Sequence, residues 1–397
     1  AQAATCSVKM SLKEFVEGLH ATASAAAGSD SPGAITLVCG NEAADADSIV
    51  TALLYAYLLH QEAPGLVFPL IQCQREDIQL RNETVLLLRR CGVHDSLKLL
   101  FVEDAVAQSL LPKASQVVLT DHNAATGAFL AVEALVSEII DHHEDLGKHP
   151  QVVGEKRIVA FENGAALVAS ACTLVAERFL AHVRGLALLE GDSSAVARAL
   201  LGVILIDSVN LDPAAKKVTP RDKAAAAELA KFARDSQQEL FQQLSDAKFD
   251  EECWQGLTLK QCLRYDFKAF KAAGYSVGLS SVLCPLASIR QKDGWPAYAV
   301  EEAKKYDLFG VMVNARLPDR TFSRELALLG KDGKLLDAAV AFLTGYEGGL
   351  LKLEPFPATG SEDGCVRVFA QKNLAASRKQ VAPAFLAFFE AAAKEQG

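Results

Sequence analysis

The chain has 397 residues, 50% hydrophobic and 22% charged, with a formal net charge of −9. This length can bury a sizeable core and favours two or three domains, while the negative balance excludes the basic face that nonspecific nucleic-acid binding needs. No apolar run reaches the roughly 18 residues needed to cross a bilayer, and Ser7–Leu19 lacks the order of a secretory leader. The nine cysteines are scattered, odd in number and without a C-x-x-C pair, so a reducing, cytoplasmic setting without a disulfide framework is expected.

In chain order, Ala34–Gly40 reads as a short apolar strand, followed by a polar loop and an apolar helix over Ser48–Leu59. Leu66–Cys73, Leu99–Glu103, Gln116–Thr120 and Ser137–Ile140 are further short apolar runs with β-branched residues, several separated by helical patterns. The alternation predicts an α/β domain with a largely parallel sheet flanked by helices, with functional groups at the carboxyl ends of the strands. Ala199–Ile206 reads as a buried helix. Asp222–Asp250 is helical and strongly polar, the pattern of a connector. Beyond it, Ser276–Cys284, Leu308–Asn314 and Cys365–Ala370 predict strands of a second α/β domain, closed by a helix over about Lys379–Lys394.

Four places in the first domain set acidic, His or Asn residues just after an apolar run: Asn41 to Ser48 with Asp45 and Asp47, Asp121-His122-Asn123, Asp141-His142-His143, and Asp207-Ser208. Each alone is also ordinary turn or N-cap chemistry. Yet three of the eight histidines fall in two of these clusters, each cluster led by an aspartate, and the conjunction favours a site. Carboxylates with one or two imidazoles suit Mg²⁺, Mn²⁺ or Co²⁺, whereas structural zinc would call for thiolate. Two such ions about 3.5–4 Å apart could activate water for in-line attack on phosphorus.

The second half carries Lys268 among aromatic residues (Arg264–Phe270) and adjacent cations Arg378 and Lys379 where the last helix begins. A helix start is already partially positive, so clustered cations there fit an anion ligand, with solvated surface charge as the other reading. Arg81, in Arg75-Glu76-Asp77-x-x-x-Arg81, could reach phosphate or simply sit at an exposed helix start.

The order Asn-x-x-x-Asp-x-Asp, Asp-His-Asn, Asp-His-His and an isolated Asp-Ser, trailed by Lys217, Thr219 and Asp222, resembles the DHH phosphoesterases from about residue 35 to 222. It is most similar to the group holding eukaryotic exopolyphosphatases, prune-type proteins and manganese-dependent (family II) inorganic pyrophosphatases. The resemblance implies a DHH metal-binding domain over 1–222, a helical connector over 223–250 and a DHHA2-type substrate domain over 251–397. It implies Asp45, Asp47, Asp121, His142 and Asp207 as ligands of two divalent cations, Mg²⁺ or Mn²⁺ with Co²⁺ as another candidate. Asp121 and Asp207 would bridge the pair, and with His143 they would form the catalytic set. Asn41, His122 and His143 would face substrate, joined by Lys268 of Asp-x-Lys-x-Phe and by Arg378 and Lys379 of Ser-Arg-Lys-Gln-Val. Asp141 is expected to orient His142 or to cap a helix, and the two domains to close over substrate about a hinge near Asp222–Asp250. The glycine-rich accessory domain of the nanoRNA and cyclic-dinucleotide branch has no counterpart here.

One departure bears on substrate: the pyrophosphatases usually have His where this chain has Asn41. The implied activity is therefore that of an exopolyphosphatase releasing terminal orthophosphate from inorganic polyphosphate. A short-chain polyphosphate or pyrophosphate hydrolase and a prune-like interaction protein are the alternatives. Prune-type partner binding is associated with further C-terminal sequence, whereas this sequence stops at Gly397. Polyphosphate is the expected partner, with no nucleic acid, membrane or obligate protein.

Overall fold

The computed structural model describes residues 10–31, 33–62, 65–191, 194–295, 297–317, 319–330, 333–356 and 364–396, so the first residues of the Ser7–Leu19 segment and Gly397 lie outside the described residues. The chain divides into two compact units, one ending at Lys248 and the other beginning at Phe249.

In the first unit, β1 (Ile35–Cys39), β2 (Leu66–Leu70), β3 (Gln116–Thr120), β4 (Val136–Asp141) and β5 (Arg157–Val159) pair in parallel, in the order β2-β1-β3-β4-β5. β2 tolerates Pro69 because it is an edge strand, where the missing N–H can face away from the sheet. A small hairpin, β6 (Phe161–Glu162) with β7 (Ala165–Ala166), follows. The helices are α1 (Leu12–Gly28), α2 (Ala46–Glu62), α3 (Asn82–Arg90), α4 (Ala105–Leu110), α5 (Ala171–Ala181), α6 (Val183–Gly191), α7 (Ala195–Asp207), α8 (Pro220–Ala233) and α9 (Gln237–Lys248).

The almost uninterrupted apolar sequence of α2 follows from its position: it is packed on β1 and β2 on one side and on α5 and α7 on the other, so most of its faces are buried. Leu99–Glu103 does not form the expected strand; it joins the sheet through a single bridge between Phe101 and Ile71. The polar stretch after Asp222 folds as α8 and α9, whose Ala225, Ala226, Leu229, Leu240 and Leu244 lie in the core of the first unit. Their polarity belongs to the outward faces of amphipathic helices.

The second unit holds a six-stranded mixed sheet in the order β12-β13-β11-β10-β9-β8. Its strands are β8 (Asp266–Ala272), β9 (Tyr275–Val282), β10 (Leu308–Arg316), β11 (Phe322–Gly330), β12 (Leu353–Pro355) and β13 (Val366–Gln371); β9 and β10 run parallel and the other pairs antiparallel. Around it are α10 (Glu251–Gly256), α11 (Leu259–Arg264), α12 (Leu286–Arg290), α13 (Ala297–Ala303), α14 (Gly333–Gly345) and α15 (Arg378–Gln396). Leu336 and Leu343 of α14 and Val381, Phe385 and Phe389 of α15 share a core with Val277, Leu279, Leu326 and Leu328 of the sheet. Among the described residues, no helix is long and apolar enough to cross a membrane.

Candidate metal centre

Register brings the first three clusters to one level. Cys39 pairs with Leu119 and Leu119 with Ile139, so Asn41, Asp121 and Asp141 each stand two residues beyond aligned positions at the carboxyl edge of the sheet. Gly40 is required there: a Cβ would meet the Ser48 carbonyl oxygen at 2.4 Å. The close approach lets the Ser48 hydroxyl donate to Asp121 Oδ2 at 2.5 Å, beside the Asn41 amide at 2.8 Å. Asp121 itself adopts φ 60°, a left-handed conformation that Asp tolerates better than most residues. Both donors take Oδ2. Asp121 Oδ1 is left buried without a hydrogen bond, 3.3 Å from His142 Nε2.

His142 is oriented by the chain on its far side. Its Nδ1 bonds the Val168 carbonyl at 3.1 Å, which turns Nε2 toward Asp121 and toward Asp47 Oδ2 at 3.7 Å. Asp47 is gripped by the start of α5, accepting from Ser170 Oγ (2.7 Å), Ala171 N (2.7 Å) and Cys172 N (2.9 Å). Asp207 ends α7, where the terminal carbonyls already concentrate negative partial charge. Its Oδ2 is likewise buried without a hydrogen bond.

Burial and crowding set the electrostatics of these carboxyls. Burial and the charge of Asp121 push Asp47 up to about 7. Burial, with the charges of Asp47 and Asp45, holds Asp207 well above the carboxylate range. Burial works against the His142 imidazolium, but the adjacent carboxylate of Asp121, with Asp47 behind it, pushes it up to about 10. Asp45 goes the other way: burial is outweighed by the Ser48 N–H and by Arg81 and Lys248, leaving its carboxyl below the usual value. Two orphaned oxygens, four mutually interacting aspartates and an imidazole aimed at them fit divalent cations with hard oxygen ligands. Among the described residues, the donor atoms of Asp121, His142 and His143 lie within 4.8 Å of one another, close enough to hold one ion.

Two family models match the chain: the DHH family, N-terminal domain, over residues 35–206, and the DHHA2 domain over residues 242–388. A Schizosaccharomyces pombe protein provisionally named an exopolyphosphatase is 30% identical over 365 residues, covering 88% of this chain and 89% of that protein. The chain belongs to the DHH family. The Bos taurus exopolyphosphatase PRUNE1 is 29% identical to this DHH protein over 357 residues, 88% of this chain and 74% of the relative. In fold, it is similar to a crystal structure from Methanococcus jannaschii titled as a provisional family II inorganic pyrophosphatase, with a TM-score of 0.56 at 21% identity, covering 89% of this chain and 99% of that one.

Of the site residues read from the DHH motifs, the structure brings Asp121, His142 and His143 together, with Asp47 Oδ2 3.7 Å from His142 Nε2, and the charges of Asp45 and Asp207 act on the same group. Asn41 spends both ends of its amide locally: its nitrogen donates to Asp121, and its oxygen accepts from the Ala43 N–H at 2.8 Å. His122 bonds the Thr120 carbonyl through Nδ1, and burial holds its imidazole neutral. Asp141 neither caps a helix nor sets the His142 ring. It ends β4, accepts the Asn123 amide, and bonds the His143 ring at 2.8 Å, because a carboxylate two residues before His143 can close that short loop. Arg81 is buried and donates to the Ala43 carbonyl, bracing the loop that carries Asp45.

In the second unit, Arg378 is paired with Asp266 at 2.8 Å and also donates to its backbone carbonyl. That ties the start of α15 to β8, where Lys268 stands exposed two residues along. Ser377 and Gln380 form a capping arrangement at the start of α15, and Lys379 is exposed.

Sequence reasoning missed the α5 start. Ser170 is a legible N-cap, but nothing local says that the cap also receives Asp47 from 123 residues away. Asp222 completes this wall. Fully buried, it accepts from Ala169 N, Thr173 Oγ1 and Thr219 N, fixing the segment that carries both Val168 and Ser170. Asp222→Ala strands those donors and is expected to cost about 3 kcal/mol or more of unfolding free energy in urea titration; a loss below about 1 kcal/mol would contradict this role.

Proposed function

We propose that this chain is a divalent-cation-dependent exopolyphosphatase, releasing terminal orthophosphate from inorganic polyphosphate. The observation that carries this reading is the meeting of Asp121, His142 and His143, with Asp47 close to His142 and with Asp121 Oδ1 buried and accepting no hydrogen bond. The names of its relatives supply the substrate class. Mg²⁺ or Mn²⁺, two ions in this proposal, would supply electrophilic stabilisation of phosphoryl oxygens and a more acidic water. Asp121 and Asp207 would offer their unbonded oxygens to such cations, and Asp47 and His142 would be further ligands.

His143 is suited to meet substrate. Its side chain is 45% exposed, and Asp141 fixes the ring through Nδ1, which leaves Nε2 to act on phosphate. Burial disfavours its charge, but the Asp141 hydrogen bond and the Asp121 charge raise its pKa, so it can contact phosphate as a cation or protonate the leaving chain. Within the second unit, Lys268, Arg378 and Lys379 are proposed as phosphate-binding side chains, where Arg378 offers a fork and the lysines point charges.

Asn41 favours polyphosphate over pyrophosphate in this reading. It hands Asp121 a donor where an imidazole would hand the cations a ligand, so one cation is held by fewer protein atoms. The rate of phosphate release from long-chain polyphosphate should exceed that from pyrophosphate at least tenfold, by the order of magnitude a lost ligand costs. A preference for pyrophosphate would move the chain to the pyrophosphatase reading.

A further inference from the structure

The helices α3, α7 and α9 meet at Gly202, where a Cβ would come within 2.9 Å of Leu87 and 3.0 Å of Leu244. Four residues back from Leu87 along α3 stands Glu83; four on from Leu244 along α9 stands Lys248; five on from Gly202 along α7 stands Asp207. Each interval is about one helical turn or slightly more, and each leads toward the same end of the three-helix contact. There Lys248 Nζ lies 3.8 Å from Glu83 Oε1. Glu83 is 2% exposed and neither of its oxygens accepts a hydrogen bond, so the Lys248 ion pair is what offsets a deeply buried charge. The same ammonium is among the charges that favour the ionised forms of Asp45 and Asp207. None of the sequence motifs includes Glu83 or Lys248.

We propose that Lys248, anchored by Glu83, is a positioning residue of the cation centre, holding a fixed positive charge beside Asp45 and Asp207 that weakens their grip on divalent cations and keeps those cations exchangeable. The inference rests on the cation-centre reading above. A fixed cation repels a bound one, and a buried carboxylate that holds it back limits that repulsion. The two residues should therefore shift cation affinity in opposite directions, which a merely structural contact would not do.

The test is calorimetric titration of the metal-free full chain with Mn²⁺ alone, so that no substrate or turnover enters. Lys248→Met is expected to bind Mn²⁺ about three- to tenfold tighter, and Glu83→Gln weaker by a similar factor, as the loss of one nearby charge implies. Lys248→Arg should return the affinity toward the unsubstituted value. An unchanged or weaker affinity in a folded Lys248→Met variant overturns the proposal. If that variant does not fold, Glu83→Gln decides: unchanged or tighter binding overturns it equally. An unsubstituted chain that binds no Mn²⁺ overturns the cation centre itself, whereas one that binds Mn²⁺ without these opposed shifts overturns the role of Lys248 alone.

Discussion

Asp121→Asn is expected to lower phosphate release from polyphosphate by at least about a thousandfold while leaving a chain that still folds without metal. The two halves of this expectation come from the two oxygens of one carboxylate. Oδ2 is occupied by Asn41 and Ser48, and an amide oxygen at that position can still accept both bonds. Oδ1 is the buried atom without a hydrogen bond, facing His142, and an uncharged amide there is a much poorer cation ligand. Asn also tolerates the left-handed backbone at φ 60°. Removing the charge relieves Asp47, whose carboxyl is raised by burial and then by Asp121, but it also takes away the carboxylate that raises His142, so the two effects on stability oppose each other. The variant should accordingly still unfold cooperatively in chelator and gain little from added Mn²⁺. Activity within tenfold of the unsubstituted chain, or a melting temperature that Mn²⁺ raises as much as it raises the unsubstituted chain's, would contradict the assigned role.

The metal-free protein is expected to lose stability as pH rises from about 6 to 8, and Mn²⁺ to restore more of it at each step. Asp47 has its folded pKa raised to about 7, so the native state holds a proton that the unfolded chain has lost above the ordinary carboxylate range. Its contribution therefore falls as pH climbs through that window. His142, raised to about 10, contributes fully below the ordinary histidine value and loses that contribution progressively above it, so it slopes the same way. Asp45 and Asp141 are lowered, and their contribution is complete well below this range, adding no slope. Cations that replace these protons bind more tightly by about tenfold per pH unit for each proton displaced. Melting temperatures in chelator and in Mn²⁺ at pH 6, 7 and 8 read this directly. A Mn²⁺ increment that shrinks with pH would contradict it.

The first unit was legible because parallel-sheet topology places motif residues at strand ends. β3 spans Gln116–Thr120 as its apolar run predicts, and the residue after it is Asp121. Asp207 was legible as the end of an apolar helix. What was not legible depends on partners far along the chain. Leu99–Glu103 has the composition of a strand, but its ladder stops at one bridge. The α5 start reaches Asp47, and Lys248 reaches Glu83, through packing that no local pattern encodes. In the second unit, β8 read only as a basic, aromatic segment because the edge strand leaves Lys268 and Ala269 exposed. β11 was missed since its first half mixes Ser, Arg and Glu before the buried run begins.

The most direct test of the central claim is orthophosphate release from long-chain polyphosphate with Mg²⁺ or Mn²⁺, repeated after chelation. Cation-dependent release that chelator abolishes and Asp121→Asn lacks is the predicted result. Release that continues in chelator, or none with either cation, would contradict the assignment of this centre to polyphosphate hydrolysis.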